Sequence, residues 1–183
     1  MEIHKSLIFC AIVCLSLSCS KAPNEDFAVG RNEQENLQKE RQQKLENSLT
    51  EANKIISAKE EQRILAYAER RGLKLNKHSG IYYEETKKGN GVIIDENKFV
   101  KISYNAYYLN GNKVEDSQQV KTFKVGGDTD IVFGLRIAVK QLSKGSKACV
   151  IVPDNMAFWL DENGEKQEAD ATLVYDIEII DVE

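Results

Sequence analysis

The pattern that most narrows the fold is a switch to period-two alternation after about residue 80. Ile81 to Thr86, Phe99 to Leu109, Phe123 to Gly126, Ala148 to Val152 and Ala171 to Val182 are alternating or continuous apolar runs, separated by turn formers such as Gly89-Asn90-Gly91 and Asn110-Gly111-Asn112. Runs of this kind predict strands with at least one face in a core. One stretch breaks the alternation. Residues 131–142 put Leu135, Val139 and Leu142 on one face of a short helix that stops at Ser143-Lys144-Gly145. Antiparallel strands around one short helix predict an α+β domain. Composition places the core in the same region, because residues 80–183 hold 11 aromatics and 9 glycines whereas residues 20–79 hold two aromatics, Phe27 and Tyr67. A segment of this size buries a cooperative core without disulfides or metal.

The preceding region has a different character. Asn24 to Asn47 is dominated by Glu, Gln, Lys and Arg, so any helix there is solvated and the segment reads as a polar tether. From Leu49 onward the apolar spacing tightens through Ala52, Ile55, Ile56, Ile64 and Ala68. A capping-box pattern at Ser48-Leu49-Thr50-Glu51 and a stop at Gly72 predict a helix over residues 49–71. Sustained heptads are absent, so the stripe is expected to dock on the domain or form a stalk rather than a coiled coil.

At the N-terminus an apolar run from Leu7 to Leu17 is too short, and too soon followed by polar residues, for a spanning helix; it reads as an export signal. Leu15-Ser16-Leu17-Ser18-Cys19 resembles the lipobox of bacterial lipoproteins, which implies cleavage after residue 18 and a diacylated Cys19. Cys10 and Cys14 then leave with the signal, and Cys149, inside Ala148-Cys149-Val150-Ile151-Val152, is expected to be a buried, inert hydrophobe. The expected organisation is a signal peptide (1–18), a lipidated polar tether (19–47), a helix and linker (48–78) and a folded domain (79–183).

Most chemistry is excluded by what the domain lacks. The chain has two histidines, His4 in the signal and His78 in the linker, so neither a Ser-His-Asp device nor a common zinc site can be built. Gly89-Asn90-Gly91 and Gly126-Gly127 lack the spacing of a phosphate-binding loop. A formal charge of −4 offers no basic excess for nucleic-acid phosphates.

The order of segments says more than any one motif. Ser79-Gly80-Ile81-Tyr82-Tyr83, Val100-Lys101-Ile102-Ser103-Tyr104, Leu109-Asn110-Gly111, Phe123-Lys124-Val125-Gly126, Ile131-Val132-Phe133-Gly134-Leu135, Leu142-Ser143-Lys144-Gly145, Val152-Pro153-Asp154 and Ala171-Thr172-Leu173-Val174-Tyr175 follow one another with sensible gaps. This order resembles the FKBP-type peptidyl-prolyl isomerase domain, in the branch found as lipoproteins of Bacteroidetes-like bacteria, and the resemblance covers Ser79 to Glu183. It implies a twisted antiparallel half-barrel wrapped on the short helix, preceded here by a helical stalk. It also implies rotation about X–Pro amides, a reaction with a barrier of about 18–20 kcal/mol that needs no cofactor, metal or nucleophile.

The resemblance further implies a proline pocket walled by Tyr104, Phe123, Ile131, Val132 and Tyr175, with Leu135 as its floor and Phe158 at its mouth. The Val132 N–H would donate to the ligand carbonyl. A carboxylate would come from Glu115 in an ungapped match, or from Asp116 with one residue inserted. Without the resemblance, Tyr104, Phe123 and Tyr175 read as packing residues of strands, and Ile131 and Leu135 as core. Phe158 and Trp159 fall in an expected loop, where exposed aromatics would mark a binding edge. Several wall positions depart from the family: Leu135 replaces a Trp, Val114 a Phe, Lys121 an aromatic, and Phe158-Trp159 stands where Tyr-Gly is usual. The implied partners are proline-containing unfolded or exported polypeptides at the cell envelope, with a lipid anchor on the periplasmic face of the outer membrane. A non-catalytic peptide-binding or chaperone lipoprotein using the same cleft is the alternative.

Overall fold

The computed structural model describes residues 25–114, 119–128, 131–161 and 163–183. The signal peptide and Cys19 lie outside the described residues. The first element, α1, runs from Glu25 to Arg71, which places its start well before the predicted one. Ser48 is not a cap: its hydroxyl donates back to the Lys44 carbonyl at 2.9 Å, and Thr50 does the same to Glu46 at 2.8 Å. These local bonds are compatible with helix interior, so the capping-box pattern misreads the boundary.

Two compact units divide the chain, residues 1–52 and 53–183. In the first unit every residue from 33 to 52 is exposed. Strong helix formers, rather than a buried face, account for helix there.

The second unit contains the rest of α1 and all the strands: β1 (Asn76–His78), β2 (Ile81–Lys87), β3 (Phe99–Tyr108), β4 (Gln119–Lys124), β5 (Lys147–Val152), β6 (Phe158–Leu160), β7 (Lys166–Glu168) and β8 (Leu173–Val182). Six of them form one sheet in the order β1-β2-β5-β8-β3-β4, each pair antiparallel. β6 and β7 form a separate two-stranded ribbon. The short helix α2 (Phe133–Val139) lies between β4 and β5 in sequence.

Each face of the sheet has its own cover. On the inner face Val100, Ile102 and Ala106 of β3, Val150 and Val152 of β5 and Leu173, Tyr175, Ile177 and Ile179 of β8 join Leu135, Ala138 and Val139 of α2 in one buried cluster. A Cβ built on Gly134 would overlap the Val152 side chain and press on Ile81. Only glycine lets α2 approach this closely. On the outer face Ile64 and Tyr67 pack with Tyr82, Cys149, Ile151 and Val174, and Ala68 is also buried. The i, i+3, i+4 spacing of the α1 residues is that of one helical stripe. Docking therefore uses the end of the predicted stripe, whereas Ile55 and Ile56 stay exposed.

The Gly72 stop falls where the sequence suggests, and a hairpin turn follows it. Gly72, with φ of 67°, ends α1 in a Schellman motif: its N–H donates to Glu69 and that of Leu73 to Ala68. β1, which was not predicted, is joined to β2 by Ser79-Gly80, both at positive φ, with His78 opposite Ile81. This is the two-residue primed turn whose twist suits a hairpin. Cys149 is a buried free thiol. Burial, and secondarily the Asp176 carboxylate, push it up to about 12.

Candidate active site

The sheet's inner face and α2 bring most of the predicted site residues together. Phe123, Ile131, Leu135 and Tyr175 are members of the inner cluster, and Tyr104 and Val132 are half-buried against it. Strand register explains how. Tyr104 stands opposite Ile177 and Ala106 opposite Tyr175, so the two tyrosines are diagonal neighbours on one face. Their rings meet edge to face, with centroids 5.7 Å apart at 67°. Phe123 sits opposite Val100 one strand further on.

The polar groups of this region are few. The Tyr104 hydroxyl donates to Gln119 Oε1 at 3.3 Å. Burial, reinforced by the neighbouring Tyr104, raises the Tyr175 phenol well above its ordinary range, so it stays neutral. Val132 is the N-cap position of α2 and has no side-chain cap; its carbonyl accepts from the Leu135 and Arg136 N–H groups at 3.0 and 3.1 Å. The Val132 N–H has no acceptor among the described residues. The loop before it is tied down by Lys124 N–H to Asp128 Oδ2 at 2.7 Å and by Arg136 Nη1 to the Asp128 carbonyl at 3.1 Å. Glu115 and Asp116 lie outside the described residues. Val114, just before them, is half-buried against the inner cluster.

Phe158 is not in a loop. It opens β6, is half-buried, and stacks on Phe133 of α2 with centroids 4.9 Å apart and planes within 15°. The Lys166 ammonium lies 4.6 Å above the Phe158 ring, and the Arg136 guanidinium 5.4 Å from Phe133. Trp159, also half-buried, is the next residue in the strand and faces the other side of the ribbon. The expectation of exposed loop aromatics is thus corrected: cross-strand pairing of Phe158 with Glu168 and Trp159 with Gln167 folds them into a ribbon. Phe133 is the member that sequence reasoning missed. Two residues ahead of Leu135, it points away from the Leu135–Leu142 face and so looks peripheral, although an aromatic at a helix start is a readable signal.

Burial is uneven across the predicted pocket. Phe123 is 1% and Leu135 2% exposed, so both are core residues, as their strand and helix positions suggest. Tyr104, Val132 and Phe158 are the predicted members with substantial solvent access.

Residues 91–180 match the family model described as FKBP-type peptidyl-prolyl cis-trans isomerase. Over 110 residues the chain is 28% identical to the FKBP-type peptidyl-prolyl cis-trans isomerase FkpA of Buchnera aphidicola subsp. Acyrthosiphon pisum, covering 57% of this chain and 43% of the relative. The protein of the same name from Buchnera aphidicola subsp. Schizaphis graminum is 28% identical over 154 residues, covering 76% and 58%. The chain thus spans about half the length of the curated relatives it matches. Among solved structures, FkpA from Escherichia coli aligns with a TM-score of 0.51 at 20% identity, covering 90% of this chain and 75% of that one. That likeness concerns the fold: a long N-terminal helix, then an antiparallel sheet with a short helix. The matched segment begins after β2, yet β2 pairs with β5 inside the sheet, so the folded unit extends upstream of the match. Segment order, the sheet wrapped on α2 and the family match agree, and the chain carries a domain of the FKBP-type peptidyl-prolyl cis-trans isomerase family.

Proposed function

We propose that the protein is a peptidyl-prolyl cis-trans isomerase that seats proline at the inner face of the sheet, beside the N-terminal end of α2. The observation that carries this reading is the convergence of Tyr104, Phe123, Ile131, Val132, Leu135 and Tyr175 in one apolar cluster, with a Val132 N–H at its edge that no described residue accepts from. An X–Pro amide is held planar by charge separation along O–C–N. Apolar, aromatic surroundings solvate that polarised form poorly, and an N–H placed at the carbonyl holds the twisted form in register. Tyr175 remains neutral throughout the physiological range, so it adds no charge that would favour the planar amide. Glu115 or Asp116 is the proposed acidic member. Phe158, on its Phe133 platform, is the proposed mouth.

The finer assignments belong to the same proposal. Cleavage after residue 18 and acylation of Cys19 would tether the domain through residues 19–47 to the outer membrane, facing the periplasm, where proline-containing exported chains are its clients. The apolar run followed by Ser18-Cys19 supports this. Sensitivity of processing to globomycin tests it.

The wall departures, Leu135 and Lys121 where the family carries aromatics, favour a second reading, a binding module that holds peptides without turning them over. A protease-coupled tetrapeptide assay separates the two. Isomerisation that rises in proportion to protein concentration supports the enzyme. The uncatalysed rate, from folded protein that still binds the peptide, supports the binding module.

A further inference from the structure

A two-stranded ribbon is marginal by itself, and β6–β7 has three residues in each strand. It nevertheless carries Phe158, the proposed mouth of the proline site. Within the ribbon the turn is well tied: Asp161 Oδ1 accepts from the Asn163 and Glu165 N–H groups, both at 2.9 Å, and Oδ2 from Gln167 at 3.1 Å. Besides the Phe133–Phe158 stack, two hydrogen bonds fix the ends of this excursion to the domain. The Asp154 N–H, four residues before Phe158, donates to Glu60 Oε1 at 2.9 Å. The Thr172 hydroxyl, four residues after Glu168, donates to that same oxygen. Thr172 is buried and Glu60 half-buried. Between them Asp170 takes a φ of 50°, in the left-handed region that Asp tolerates better than most residues.

We infer that Glu60 of α1 is a positioning residue for the proline site: one carboxylate oxygen clamps both ends of the 154–172 excursion and thereby sets where Phe158 stands. The residue lies in none of the segments that carry the family resemblance, and it touches neither Phe158 nor any proposed wall. Its effect is carried by the backbone of residues 154–157 and by Thr172, which leads directly into β8 and Tyr175. Hydrogen bonds to a charged acceptor are stronger than neutral ones, and one acceptor serving two segments distant in sequence closes a loop that three-residue strands hold weakly.

The kinetic half of this inference rests on the isomerase reading, and its structural half does not, so the experiment reads both. Trp159 is the chain's one tryptophan and sits in β6, so acrylamide quenching of its emission reports the ribbon directly. In the full chain, Glu60→Ala is expected to raise the quenching constant at least about twofold and the KM for a proline tetrapeptide about three- to tenfold, with kcat within about twofold. Glu60→Gln keeps an oxygen that accepts both donors and should stay close to the parent on both readouts. Thr172→Val removes one arm of the clamp without altering α1 and should fall between, which keeps the test decisive if Glu60→Ala unfolds. Unchanged quenching in Glu60→Ala and Thr172→Val overturns the inference, as does Glu60→Gln being as impaired as Glu60→Ala. A parent protein without isomerase activity overturns the proposed function instead, and Trp159 quenching then decides the clamp alone.

Discussion

The Phe133–Phe158 stack joins α2 to the ribbon, and its strength can be worked out from the geometry. Phe158 is half-buried; full burial of a Phe side chain contributes about 1.5–3 kcal/mol, so about half of that is at stake. Parallel rings at 4.9 Å add about 0.5–1.5 kcal/mol. The Lys166 ammonium at 4.6 Å adds about 0.5 kcal/mol at a site this exposed. Phe158→Ala should therefore cost the ribbon about 2–3 kcal/mol. The loss falls on a local unit rather than on the sheet, so amide exchange across residues 158–168 should accelerate about 30- to 150-fold while the strands β3, β5 and β8 keep their protection. A double-mutant cycle with Phe133→Leu and Phe158→Leu isolates the stack and should give a coupling of about 0.5–1.5 kcal/mol. Coupling within error of zero, or exchange that accelerates equally in the main sheet, refutes the idea that this ring pair holds the ribbon.

The packing of Gly134 and Cys149 gives further outcomes, and the proposed acidic member of the site gives another. Gly134→Ala should destabilise the domain by about 1–3 kcal/mol in denaturant unfolding, because the added methyl meets Val152 and Ile81 in a closed core. Cys149, a thiol raised to about 12, should resist alkylation at pH 8 in the folded protein and react on unfolding, as peptide mapping would read. Because its folded value lies above the unfolded one, its contribution to stability is fully present below about pH 8 and is progressively lost as pH rises through 9 toward 12. Finally, Glu115→Gln and Asp116→Asn should lower isomerisation unequally, and the larger loss identifies the acidic member of the site.

How much of this was readable in the residues depends on burial. β2, β3, β5 and β8 each bury an alternating or continuous apolar run, and the sequence marks them to within a few residues. β4 starts at residue 119 rather than at the expected 123, because Gln119 to Thr122 bury no side chain fully and only Phe123 of the strand reaches the core. β1 and β7, Asn76-Lys77-His78 and Lys166-Gln167-Glu168, contain no apolar residue; pairing alone makes them strands. The Ser79-Gly80 turn was a usable sign of the first. The helix over residues 33–47 is hidden for a related reason: with no buried face there is no period to read, and Glu, Gln, Lys and Arg fit helix or tether equally well. Ile64 and Tyr67 dock where the stripe is densest. For the candidate site, alternation put Tyr104, Phe123 and Tyr175 on core-facing positions, and segment order raised them to proposed pocket walls. Nothing in local sequence linked Phe158 to Phe133, or Glu60 to Asp154 and Thr172, since those contacts join segments remote along the chain.

Turnover of X–Pro bonds at the inner face of the sheet is read by magnetisation exchange in a proline peptide. Uncatalysed interconversion takes tens to hundreds of seconds, too slow for exchange cross-peaks between the cis and trans proline signals. With substoichiometric protein, those cross-peaks should appear, the Val132 amide should shift in the same sample, and Tyr175→Ala should abolish both. Cross-peaks absent at every protein concentration, from protein whose spectrum is that of the folded chain, would contradict the account.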